Sequence, residues 1–171
     1  MIVTFTRTAE RRYRVSVEGP GLVPSYMEPA PGYDDRLPHD IVHFVVENEL
    51  GVAGGVFGQL AAGGHAGTFH PTGEHKKMRV ARRGERLAKA HQDDAVLSER
   101  LVDLACRMWR HGVPDVMPAG TPGGVSADDL RRVCRALDAA SAEWSRLGVG
   151  ESMTMEWRGG AARTATPRRR R

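Results

Sequence analysis

The segment Leu37-Pro-His-Asp-Ile-Val-His-Phe-Val-Val-Glu47 concentrates the side chains best suited to chemistry. If it is helical, His39, His43 and Glu47 stand at i, i+4 and i+8 and line one ridge, neighbouring Cβ atoms about 5–6 Å apart. Two imidazoles at that spacing can converge on one cation through bonds of about 2.0–2.1 Å. Zinc or another divalent transition metal is the cation such ligands suit. Glu47 is a candidate third ligand. Asp40, about 100° from His39 around the helix axis, is a candidate base or ligand-orienting acid. Ile41, Val42, Val45, Val46 and Leu50 occupy the other flank and face the core. The same pattern also serves a purely structural end. Imidazoles at the edge of an amphipathic helix hydrogen-bond carbonyls or carboxylates, and an acid in the first turn favours the helix dipole.

The pentapeptide His39–His43 resembles the HExxH motif of zinc peptidases, with Asp40 where those carry Glu. The shorter side chain withdraws the carboxylate by about one bond length from the water it would deprotonate. The segment also resembles a ubiquinone-biosynthesis family whose metal motif is His-Asp-x-x-His followed, eleven residues on, by Glu. His39, Asp40 and His43 match, and the last position falls on Gly55. That resemblance spans residues 39–55 and implies metal binding within a mainly helical fold. The longer stretch LPHDIVHFVVENELGVAGGVFGQLAAGG resembles proteins of high-GC actinobacteria, which implies a family but no reaction.

Other motifs are weaker. His65, His70 and His75 recur every five residues, a spacing of neither helix nor strand, and could add a ligand only if the loop folds suitably. Gly51, Gly54, Gly55 and Gly58 match neither GxxxxGK[ST] nor GxGxxG, which favours close packing over a phosphate cradle. Lys76, Lys77, Arg79, Arg82 and Arg83, with Arg86 and Lys89, form a basic run that could bind an anion or nucleic acid. No aromatic residue lies between His75 and His91 to stack on bases, and a solvated face explains the run equally.

The elements that must position these residues are legible from periodicity. Val3 and Phe5, then Tyr13, Val15 and Val17, alternate with polar residues around a turn at Thr8–Arg11, predicting a hairpin. Met153, Met155 and Trp157 alternate in the same way and predict a third strand. Helices are predicted over His39–Leu50, stopped by Gly51, and over Gly54–Ala62 with its small residues. A third runs from about Gln92 to His111 on the stripe Leu97, Leu101, Leu104, Ala105 and Met108. Ser126 and Asp129 form a capping box opening a fourth, whose stripe includes Leu130, Val133, Cys134, Leu137 and Trp144. Trp109, Trp144 and Trp157 read as core or core-edge packing. Gly19–Leu37 and Gly63–Arg79 read as loops. The expectation is an α+β fold: a three-stranded antiparallel sheet, the N-terminal hairpin plus the C-terminal strand, packed on about four helices. Residues 1–158 form one domain on this reading, and 159–171 a disordered basic tail.

Composition bounds the function classes. The chain has 171 residues and a net charge of +4, which becomes zero without Arg168–Arg171. Basicity therefore belongs to the tail, which weakens a nucleic-acid reading of the body. Arg outnumbers Lys 22 to 3, as GC-rich codon usage produces. Cys106 and Cys134 lack CxxC spacing and read as reduced thiols. Neither a signal peptide nor an apolar run of about 18 residues is found, so a cytoplasmic protein with no membrane association is expected. Three functions stay open: a metal-dependent hydrolase built on His39, Asp40, His43 and Glu47; a non-enzymatic interaction or regulatory module; and an anion or nucleic-acid binder using residues 76–89 and the Arg tail.

Overall fold

A computed structural model describes residues 1–64, 68–72, 85–86, 89 and 92–159. Alternating apolar residues build the sheet. Strands β1 (Ile2–Ala9) and β2 (Arg12–Glu18) pair antiparallel, with Val3 opposite Val17 and Phe5 opposite Val15. Strand β5 (Ser152–Glu156) lies on the other edge of β1, with Met153 opposite Phe5 and Met155 opposite Val3. Val3, Phe5, Tyr13, Val15, Val17 and Met153 are buried on one face. The other face is polar; Thr6 and Ser152 hydroxyls meet across the strands at 2.8 Å.

The expected three-stranded sheet is in fact five-stranded: with β3 (Ser25–Met27) and β4 (His70–Pro71) the order is β4-β3-β2-β1-β5. Strand β3 falls inside the Pro-rich stretch expected to be loop, and β4 inside the second. Three and two residues are too few to display a period of two. These strands exist because a neighbour offers an unpaired edge: β3 adds to β2, with Met27 opposite Val15 and Ser25 opposite Val17, and β4 adds to β3, with His70 opposite Tyr26.

The four expected helices are present: α1 (His39–Leu50), α2 (Val56–Ala61), α3 (Gln92–His111) and α4 (Ala127–Trp144). The capping box forms as the sequence predicts, Asp129 N donating to Ser126 Oγ and Ser126 N to Asp129 Oδ2, each at 3.1 Å. Gly51 closes α1 in the left-handed conformation, φ +68°. Helix α1 is the hub. Every residue from Ile41 to Glu47 is buried, because the helix packs on the sheet through Phe44 and against α2, α3 and α4 elsewhere. Phe44 meets Phe5 and Phe57 edge-to-face at 6.1 and 5.1 Å, and Tyr13 meets Trp144 at 6.0 Å. Among the described residues no helix is long and apolar enough to cross a membrane. The basic run at 76–83 and the Arg tail lie outside the described residues; Arg86 and Lys89 are exposed.

Candidate metal centre

The site is assembled where α1 crosses α3. Its first anchor precedes the helix: His39 N donates to the Gly32 carbonyl at 3.0 Å. Gly32 adopts φ +73°, and a Cβ there would stand 2.9 Å from His39 Cβ. Only glycine permits both the turn and the close approach that hold His39 at the head of the helix.

One turn later, His43 Nε2 lies 3.1 Å from His39 Nε2, the rings nearly perpendicular with centroids 4.6 Å apart. The third member comes from α3. Glu99 Oε2 is 3.6 Å from His43 Nε2, and ligand atoms of His39, His43 and Glu99 all lie within 4.8 Å of one another. Two nitrogens bound to one tetrahedral ion at about 2.0–2.1 Å stand about 3.3 Å apart, so the imidazole pair is spaced to share a cation. His43 is 6% exposed at its side chain and Glu99 66%, which leaves one flank of the cluster open to solvent.

Glu47 is placed differently from the expectation. Its carboxylate is fully buried beneath the cluster and faces α2 and α3. Oε1 accepts from Val56 N at 2.9 Å and Ser98 Oγ at 2.8 Å; Oε2 accepts from Phe57 N at 2.8 Å. It satisfies amide donors at the start of α2, so most of its acceptor capacity is committed, and the carboxylate grouped with the two imidazoles is that of Glu99 instead. A Cβ on Gly55 would sit 2.3 Å from Glu47 Cδ, so the position that breaks the resemblance to the ubiquinone-biosynthesis motif is the one that admits this carboxylate. Glu47 still touches the site, with Oε1 3.4 Å from His43 Nδ1. A carboxylate can only accept, which places a proton on Nδ1 and leaves Nε2, facing His39 and Glu99, as the nitrogen that could ligate an ion.

Asp40 also leaves the cluster. Its carboxylate meets the Tyr13 hydroxyl, which contacts the Pro31 carbonyl as well, tying the first turn of α1 to β2. Burial raises the Asp40 pKa. It raises that of Tyr13 too, reinforced by the adjacent Asp40 charge. This acid serves as an anchor of the helix that carries the imidazoles. His70, in the edge strand β4, packs its ring on Tyr26 of β3, while His65 and His75 lie outside the described residues.

The two imidazoles are electrostatically unequal. Burial and the neighbouring His43 charge lower the pKa of His39. Burial pulls His43 the same way, but its bond to Glu47 and the charges of Glu47, Glu99 and Asp40 outweigh burial and raise it. His43 therefore keeps a proton more readily and His39 offers the freer lone pair.

Compared with family models, curated proteins and solved structures, the chain has no match.

Proposed function

We propose that the chain binds one divalent transition-metal ion, zinc by the character of its donors, through His39, His43 and Glu99, and acts as a metal-dependent hydrolase. The observation that carries this reading is the convergence of two imidazole nitrogens and a carboxylate oxygen from two helices within 4.8 Å. Three protein ligands with a solvent-facing flank leave coordination positions for water or substrate, the arrangement of catalytic rather than structural zinc. A divalent ion there would supply Lewis acidity and a more acidic bound water. Around it, Glu47 sets the His43 tautomer, and Gly32 and Asp40 hold the helix that positions both rings.

Metal analysis of untagged protein tests the binding. About one equivalent of zinc, iron or manganese is expected in the wild type and none in His39→Ala/His43→Ala. Trace metal in both would overturn the reading. The hydrolytic step is tested with p-nitrophenyl acetate and p-nitrophenyl phosphate: turnover should require the loaded metal and fall in Glu99→Gln.

A further inference from the structure

A cleft of about 270 Å³ opens beside His39, between the 32–37 loop, α1 and α3, with Arg36, Val42, Cys106, Trp109 and Arg110 in its walls. We infer that this cleft is an oxyanion subsite of the metal centre, in which Arg36 and Arg110 hold the carboxylate or phosphate group of a small substrate whose other end reaches the ion. The inference rests on the metal reading for the position of the reacting end, and on the cleft itself for the anion.

Three features of the cleft support it. Among the described residues, neither guanidinium has a carboxylate partner, so both keep their charge available to an incoming anion. Arg36 is also held in place. Its guanidinium stacks 3.5 Å from the Trp109 ring centroid, Trp109 Nε1 donates to Asp138 at 2.7 Å, and the Arg36 carbonyl accepts from Ser141 Oγ at 2.9 Å. A guanidinium pinned by its face keeps its N–H edges free, and that edge is the geometry for bidentate binding of an oxyanion. Finally, the contacts descend α3 as they ascend α1: Cys106 shares the cleft with His39, while Glu99 meets His43 and Ser98 meets Glu47. Cleft and metal cluster are thus successive stations along one helix–helix seam, with His39 common to both.

The local charge balance agrees. Asp34 is the cleft's carboxylate, and one of its oxygens already accepts from Arg36 N at 2.8 Å and Leu37 N at 3.4 Å. Burial raises the Cys106 pKa, which keeps that thiol neutral beside an incoming anion. The cleft is slightly smaller than the roughly 300–1,000 Å³ usual for ligand pockets, which suits a compact molecule.

The test titrates the full-length, metal-free chain with inorganic phosphate and, separately, with succinate, following tryptophan fluorescence and heat. Saturable binding of at least one probe is expected, and the stronger of the two identifies phosphate or carboxylate chemistry. Arg110→Ala and Arg36→Lys should each weaken it by about tenfold or more, the loss expected of a hydrogen bond to a charged group. Arg107→Ala, on the same helix, should not change it. Arg110 is exposed, so its variant should fold as the wild type does, which melting would verify. Zinc loading should then tighten the probe several-fold in the wild type but not in His39→Ala/His43→Ala. Binding of neither probe, or equal weakening by Arg107→Ala, overturns the subsite. If the probe binds through Arg36 and Arg110 but zinc neither binds nor alters it, the subsite stands and its link to a metal falls.

Discussion

Glu47 and Glu99 are the two carboxylates that reach the imidazole pair, and they have opposite surroundings. Glu47 sits fully buried with two backbone amides and a serine hydroxyl on its oxygens. Glu99 projects from α3 with its side chain two-thirds in water and one oxygen toward His43. A buried anion is tolerated only when its acceptor capacity is filled, and once filled it has little left for a cation. A partly solvated carboxylate carries no such debt and can exchange water for metal. On the proposed metal reading, the contrast assigns Glu47 to architecture and Glu99 to ligation, although Glu47 is the one on the same helical ridge as the histidines.

The largest expected effect is on metal affinity. His43→Ala removes the buried imidazole and should reduce zinc affinity by more than about a thousandfold, since two ligands rarely hold zinc; calorimetric titration measures it, and a loss under tenfold would place the metal elsewhere. Glu47→Ala follows. It strands two amide donors and a hydroxyl around an emptied space, each buried unsatisfied group costing about 1–3 kcal/mol. A total loss of about 3 kcal/mol or more in urea unfolding is expected, and a loss below about 1 kcal/mol would break the architectural assignment.

Glu99→Gln should do the reverse, costing at least about tenfold in zinc affinity while moving stability by less than about 0.5 kcal/mol, as exposed positions do. If Glu99→Gln unfolds the chain, or Glu47→Gln alone loses zinc without loss of stability, the two roles are exchanged. Acidity sharpens the same comparison. His43 holds its proton to higher pH than an ordinary histidine, chiefly through Glu47, and that proton competes with the metal. Zinc affinity should therefore rise with pH through the histidine range, by up to about tenfold per pH unit for each proton displaced, and level off above it. In Glu47→Gln the levelling should move to lower pH. The smallest effect is predicted for Asp40→Asn: about 1 kcal/mol or less of stability and no more than threefold in zinc affinity, as befits an anchor outside the ligand set.

Much of the fold was legible because local rules and tertiary context agree. Alternation in Val3–Phe5 and Tyr13–Val17 places those residues on the buried face of the sheet, and the Ser126–Asp129 box opens α4 where periodicity begins. The short strands escape such reading, since Ser25–Met27 and His70–Pro71 pair by courtesy of a neighbour's edge. Half of the site was legible too. The i, i+4 spacing of His39 and His43 is a property of the helix alone, and it brings their Nε2 atoms to 3.1 Å.

What the sequence determined by itself was thus whatever depends on near neighbours: helix spans, strand alternation, the capping box and the imidazole ridge. Only tertiary structure decided which acid faces that ridge. Glu99 is 56 residues beyond His43 and lies outside the apolar stripe of its helix, so no spacing rule links them. The link arises because α3 packs across α1 and presents Ser98 to Glu47 and Glu99 to His43. Gly55 then lets the start of α2 close over Glu47 and consume its lone pairs. Side-chain chemistry belongs to the residue, but spare hydrogen-bonding capacity belongs to its surroundings, and those are set by packing.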